Sequence, residues 1–263
     1  MQIYTHTLPG GAQLIGYLRD RTVEMPAFNT RPAILILPGG GYAWCSKREA
    51  DPVAMQFLQA GYNVFTLYYT CRSDESVPAL RWQPLIDAAG AILHIRRNAE
   101  QFGTDPAKIA ICGFSAGGHL ALSGAVLDIP GETAQQRPNA VILGYPVVTA
   151  GEFAHRGSFV QLAGSEDAAA QQAFTLEDQV TSDTPPVFVW HTMEDKTVPV
   201  ENTLLLLAAL RRAGVPCEAH LFEKGAHGTS ISTAEVDAAD PHRAHWVALC
   251  LEWLGETFGF KLS

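Results

Sequence analysis

Lys108-Ile109-Ala110-Ile111-Cys112 runs directly into Gly113-Phe114-Ser115-Ala116-Gly117, and Gly118-His119-Leu120-Ala121-Leu122-Ser123 follows. The first segment reads as a buried strand and the last as the start of a helix. Between them lies a G-x-S-x-G turn in the strand-to-helix setting that gives this motif its meaning. Glycines two residues on either side of Ser115 let the chain reverse without Cβ clashes. Such a turn lifts the serine hydroxyl to the top of the sheet and aims the Ala116 amide at a substrate oxygen. A Gly/Ser turn that only packs a helix on a sheet would be spelled the same way. The difference lies in whether partners for a nucleophile follow along the chain.

Outward from this turn, strand-like and helix-like segments alternate. Upstream, Ala33–Leu37 is an apolar run stopped by Pro38 and three glycines, and Glu49–Ala60 has helical spacing that ends at Gly61. Asn63–Tyr69 reads as a strand and Leu85–Phe102 as a helix. Downstream, strands are expected at Ala140–Gly144, Val187–His191 and Glu218–Phe222, with helices at Glu201–Ala213 and Pro241–Phe258. The βα order predicts an α/β protein with a mainly parallel, doubly wound sheet flanked by helices. Gln2–Thr7 and Ala12–Leu18, around Pro9-Gly10-Gly11, suggest an added antiparallel hairpin. The expectation is one domain over residues 1–263, with a small, partly helical cap insertion at about 146–184, where no strand is evident and the stretch is too long for an ordinary connection. An ordinary surface excursion is the alternative.

The 263 residues are 47% hydrophobic and only 17% charged, enough apolar material for a sheet buried on both faces. A formal net charge of -9 with no basic run argues against nucleic acid and anionic membranes as partners. No apolar run approaches membrane-spanning length, and the N-terminus lacks the pattern of a signal peptide. The five scattered cysteines include no C-x-x-C pair, which suggests free thiols and a cytoplasmic location. Neither a metal site nor an organic cofactor is expected, since there is no H-E-x-x-H and no cysteine/histidine cluster at ligand spacing.

A serine hydroxyl needs a base, and the base needs an orienting carboxylate. On such a sheet the order is serine, acid, histidine, each past the carboxyl end of a strand. The strand ending at His191 is followed by Thr192-Met193-Glu194-Asp195, which offers Asp195 as the acid with Glu194 as its rival. The strand ending at Phe222 leads to Gly225-Ala226-His227-Gly228, and of nine histidines only His227 has the required place in chain order. His119, His191 and His220 read as satisfied core residues, and His242 and His245 as surface or packing residues. Ala116 and either Gly40 or Gly41, in Pro38-Gly39-Gly40-Gly41-Tyr42, are the expected oxyanion-hole donors. A glycine-rich loop can also cradle phosphate, but no Lys-Ser/Thr pair follows it.

The runs 38–42, 113–121, His191-Thr192-x-x-Asp195-x-x-Val198-Pro199 and Gly225-x-His227-Gly228 resemble the α/β-hydrolase fold. More narrowly they resemble bacterial acetyl-esterase and acetylxylan-esterase-like carboxylesterases. The likeness runs from about Ile34 to the final helix, and Ser46, Glu49 and His155-Arg156-Gly157-Ser158-Phe159 share in it. Two features depart from the pattern. Pro38 stands where the lipase form of the loop has histidine, and Thr70-Cys71-Arg72 follows the tyrosines where many relatives have arginine at once.

The resemblance implies hydrolysis of a short-chain ester, acetyl above all, on a small molecule such as a sugar or xylo-oligosaccharide. Tyr42, Trp44, Trp82 and Tyr145 could form a stacking surface for a sugar ring, or could be core and cap aromatics. A lactonase or oligopeptidase-like hydrolase would keep the same three residues, and a non-catalytic binder of this fold would not need them.

Overall fold

The computed structural model describes residues 1–74, 76–128 and 134–262. Its centre is an eight-stranded sheet in the order β1-β2-β4-β3-β5-β6-β7-β8. The strands are β1 (Gln2–Thr7), β2 (Gln13–Leu18), β3 (Arg31–Leu37), β4 (Asn63–Tyr68), β5 (Thr104–Phe114), β6 (Ala140–Gly144), β7 (Val187–Thr192) and β8 (Cys217–Phe222). From β4 to β8 all neighbours are parallel, whereas β2 is antiparallel to both β1 and β4. The N-terminal hairpin therefore does more than cap an edge, because it extends the sheet beyond β4.

Side chains alternate across the sheet as the two-residue period requires. Leu35, Leu37, Ile109, Ile111, Val141, Leu143, Val187 and Val189 enter one core. On that side lie α2 (Gln83–Arg97), α4 (Ala116–Val126) and α7 (Glu201–Ala213), contributing Ala88, Ile92, Leu120 and Leu206. Ile34, Ile36, Ala110, Cys112, Ile142, Phe188 and Trp190 enter the other core, where α1 (Asp51–Gln59) and α9 (Trp246–Phe258) supply Phe57, Trp246, Cys250 and Leu254. Burial on both faces explains why these strands read as unbroken apolar runs.

Two expected helices are each divided. The run 85–102 becomes α2 and α3 (Ala99–Phe102), because Asn98 turns the chain and its side chain caps the carbonyl of His94. The run 241–258 becomes α8 (Pro241–Ala244) and α9, with the Asp240 carboxylate accepting from the amides of His242 and Arg243 at the start.

Between β6 and β7 lie α5 (Arg156–Ala163), α6 (Ala168–Gln172) and a short 3-10 turn. Asn202 on α7 anchors this stretch, accepting from the amides of Val148 and Thr149 and donating to the Phe153 carbonyl. Its far side is tied to the segment after β4, where Leu80 and Arg81 donate to the carbonyls of Gln161 and Leu162. All five cysteines are free, and among the described residues no helix is long and apolar enough to cross a membrane.

Candidate active site

The carboxyl ends of β3, β5, β7 and β8 converge on one cavity of about 360 Å³. Ser115, immediately after β5, has φ 55° and ψ -121°, a conformation rare for any residue with a side chain. Close packing holds it there. A Cβ on Gly117 would stand 2.1 Å from the Leu37 carbonyl oxygen, and one on Gly113 would stand 2.0 Å from that of Gly117. Only glycine fits either position, so the turn is built by β3 and α4 pressing on β5.

Ser115 Oγ donates to His227 Nε2 at 2.8 Å, and His227 Nδ1 donates to Asp195 Oδ2 at 2.6 Å. The tautomer follows from the acid: an ionised carboxylate only accepts, so Nδ1 must carry the hydrogen and Nε2 is left to accept. Burial alone would raise the Asp195 carboxyl, but hydrogen bonds from His191 and His227 outweigh it and hold the group well below the ordinary aspartate value. The other oxygen, Oδ1, accepts from the amides of Thr197 and Val198, both at 2.9 Å. His191 is the satisfied core residue that its strand position suggests. It is fully buried, accepts from Thr203 Oγ1 at 2.8 Å, and lies 3.3 Å from Asp195 Oδ2. Glu194 is turned elsewhere, its carboxylate taking the Gly225 amide at 3.3 Å.

The glycine loop folds over Ser115. A Cβ on Gly39 would sit 2.9 Å from that of Ser115, and the Gly40 carbonyl accepts from Ala43 and Trp44 in a turn with Gly40 at φ 130° and Gly41 at φ 64°. Gly40 and Gly41 line the cavity beside Ser115. Ala116 opens α4, where the first amides of a helix have no partner within it. The Gly39 amide is already committed, at 2.7 Å, to Glu49 Oε2.

Glu49 is the component that the sequence did not single out for a role. Its carboxyl is buried, accepts the Tyr145 hydroxyl at 2.6 Å, and is lifted above the ordinary glutamate value by that burial. Nothing local marks it, since its partners lie 10 and 96 residues away. Its membership of the resemblance was the available signal.

Of the four aromatic residues expected to form a stacking surface, Trp44 lines the cavity and is 63% exposed. The other three are corrections. Tyr42 is buried with its hydroxyl against His119 Nδ1, and that ring, pushed down to a pKa of about 4 by burial, bonds the Phe174 carbonyl through Nε2. Tyr145 is buried between Glu49 and the ring of His227, whose centroid is 4.9 Å away. Trp82 packs against Phe174, with tilted rings 4.8 Å apart, and faces a separate crevice. Hydroxyls bonded inside the core and a ring packed at a distance leave no face for a ligand in the main cavity. One wall of the main cavity comes from His155, Gly157 and Gln161 of the segment between β6 and β7, and Ser46, Arg48 and Thr197 also line it.

A family model described as the prolyl oligopeptidase family matches residues 91–260, well over half of the chain. The chain belongs to the prolyl oligopeptidase family. A second model, described as BD-FAE, matches residues 23–148. The fold of this family member is that of the α/β-hydrolases, as the motifs imply. It superposes with a TM-score of 0.82 on an acetyl ester-xyloside bifunctional hydrolase from Caldicellulosiruptor lactoaceticus, at 34% identity and covering 97% of this chain and 90% of that one. A carboxylesterase of Lactobacillus plantarum gives a TM-score of 0.87 at 27% identity, with both chains fully covered. Among curated sequences, the endo-1,4-beta-xylanase B of Butyrivibrio fibrisolvens is 39% identical over 84% of this chain and 35% of its own length. The acetylxylan esterase of Xylanibacter ruminicola is 29% identical over 85% of this chain and 45% of its own. The present chain thus spans less than half the length of these two relatives.

Proposed function

We propose that the protein is a serine carboxylesterase that removes short acyl groups, acetyl first among them, from the hydroxyls of sugars or short xylo-oligosaccharides. The observation that carries this reading is the unbroken hydrogen-bond line from Asp195 through His227 to Ser115 at the edge of the cavity. In the proposed cycle His227 Nε2 takes the Ser115 proton as Oγ bonds to the acyl carbon. The oxyanion is received by the amides of Ala116 and of Gly40 or Gly41, each worth roughly 3 kcal/mol to the transition state. Collapse of the intermediate expels the alkoxide, which takes the proton from His227. Water, deprotonated in turn by His227, then releases the carboxylic acid and restores Ser115. Asp195 keeps the imidazole oriented and stabilises its charged form. Histidine and backbone amides supply every proton and dipole, so the cycle asks for no metal or organic cofactor.

The acetyl and sugar parts of the proposal draw support from relatives named for acetylxylan and acetyl ester-xyloside hydrolysis. We read residues 146–184 as a cap on a single hydrolase domain, because His155, Gly157 and Gln161 of that stretch line the cavity. The test is hydrolysis of 4-nitrophenyl acetate, butyrate and octanoate and of acetylated xylo-oligosaccharides, with Ser115→Ala as control. Acetate release from both classes, lost in the variant, is expected. Turnover of lactones or aminoacyl nitroanilides in place of esters would overturn the proposal in favour of the lactonase or peptidase reading.

A further inference from the structure

The cavity wall formed by α5 carries two side chains whose polar atoms are fixed by partners outside the cavity. His155, at the N-cap of α5, has Nδ1 2.8 Å from Ser158 Oγ. Ser158 is fully buried, and this ring is the one hydrogen-bond acceptor for its hydroxyl among the described residues. A buried hydroxyl gives its hydrogen to an available acceptor, so Nδ1 accepts and the imidazole hydrogen is on Nε2. Burial lowers the His155 pKa below the ordinary histidine value, which favours the uncharged ring. Its Cε1 lies 3.8 Å from where a Cβ on Gly41 would stand, so the ring faces the glycine loop across the cavity.

Gln161 lies about one and a half turns further along α5. Its side-chain oxygen accepts from Arg72 Nη1 at 3.2 Å. A guanidinium only donates, so the atom facing it must be Oε1, and the amide Nε2 with its two hydrogens is directed away. Arg72 is itself held by the Val77 carbonyl through Nε at 2.7 Å, and its backbone amide donates to the Tyr42 carbonyl. Neither His155 Nε2 nor Gln161 Nε2 has a protein acceptor among the described residues. Gly157 also lines this wall, without a side chain to fill the space, and the exposed ring of Trp44 lines the same cavity.

We propose that His155 and Gln161 are specificity-determining donors for the alcohol half of the substrate, and that this half is a pyranose lying against Trp44. A pyranose has an apolar C–H face for the indole and a rim of hydroxyl oxygens that accept from both nitrogens. A plain alkyl alcohol leaves both donors without an acceptor once water is displaced, which is how a polar site rejects an apolar analogue. The inference rests on the esterase reading and sharpens it to the recognised group.

The test uses two readouts. Ser115→Ala protein is titrated with xylobiose while tryptophan emission is followed, with Trp44→Phe in the same background as control. Wild type, His155→Ala and Gln161→Glu are then compared on acetylated xylobiose and on 4-nitrophenyl acetate. The Gln161→Glu change keeps an acceptor for Arg72 and so preserves the local fold, while replacing the donor by an acceptor. The expected result is a saturable emission change that depends on Trp44. In both wall variants, the ratio of kcat/KM for the sugar to that for the nitrophenyl ester should fall about tenfold or more, carried by KM. Ratios within twofold of wild type, or no saturable response in a protein whose wild type hydrolyses 4-nitrophenyl acetate, overturn the inference and leave the esterase reading standing. A wild type that binds xylobiose but hydrolyses no ester sinks the esterase reading while supporting a sugar-recognising wall.

Discussion

The Tyr145 hydroxyl donates to Glu49 Oε1 across 2.6 Å, with both residues buried and the Tyr145 ring packed against that of His227. The same hydroxyl accepts the Ser230 amide at 3.0 Å, just beyond the histidine loop. One phenol thus connects the segment following the glycine loop with the loop that carries the base. Tyr145→Phe removes that link and leaves a buried carboxyl short of a donor, at an expected cost of about 2 kcal/mol near neutral pH.

The cost should depend on pH. Burial already raises the Glu49 carboxyl, and the Tyr145 hydrogen bond opposes that rise. Without the bond the folded-state pKa moves further up, so the variant gains relative stability where glutamate is protonated and loses it as pH rises above the ordinary value of 4.5. Urea midpoints measured from pH 4 to 7.5 are expected to show a gap from wild type that widens with pH. A constant gap would contradict the assignment of Glu49.

Asp195→Asn is expected to lower kcat on 4-nitrophenyl acetate by about 10⁴ while leaving the fold intact, because asparagine can donate to Nδ1 and favour the wrong tautomer. Glu194→Ala should leave kcat almost unchanged, since among the described residues that carboxylate serves the Gly225 amide and not His227. The ionised Asp195 also contributes stability, because its folded-state pKa lies below the ordinary 3.8. That contribution is present above about pH 4 and disappears as pH falls through the depressed value. Equilibrium unfolding of wild type and Asp195→Asn in acid should therefore converge.

Two glycines near the serine turn should respond in opposite ways to a methyl group. Gly117→Ala places a carbon against two backbone oxygens, of Leu37 at 2.1 Å and Pro38 at 2.5 Å, which cannot swing aside. A loss of more than about 3 kcal/mol is expected. Gly124, seven residues later inside α4, has nothing closer than the Ile111 methyl at 3.9 Å. Gly124→Ala should gain about 0.5–1 kcal/mol from helix propensity. Thermal melting of the two variants distinguishes steric exclusion at Gly117 from a general intolerance of this helix.

The strands were legible because burial on both faces turns them into apolar runs with glycine or proline at their ends, as at Ala33–Leu37 before Pro38. Ser115, Asp195 and His227 could be picked out because strand order fixes where such residues must follow, and the structure places His227 within hydrogen-bond distance of both Ser115 and Asp195. Periodicity did not reveal the breaks at Asn98 and His245, since a short turn hardly disturbs the spacing of apolar residues on either side. The stacking surface failed for a related reason. An aromatic residue beside a motif has the same local sequence whether it lines the cavity, as Trp44 does, or enters the core, as Tyr42 and Tyr145 do. Glu49 depends on a contact spanning 96 residues, which no local pattern records.

The contact between Glu49 and Tyr145 also bears on the order of folding. It closes 96 residues of chain, and the Ser230-to-Tyr145 bond closes another 85. Closures this long carry an entropic penalty that nearby contacts do not, so they form late unless the surrounding sheet has already brought their ends together. During refolding from urea, helical signal and tryptophan burial should recover before catalytic turnover does. Hydrolysis of a chromogenic ester would then serve as a clock for the final docking step, after the secondary structure is in place.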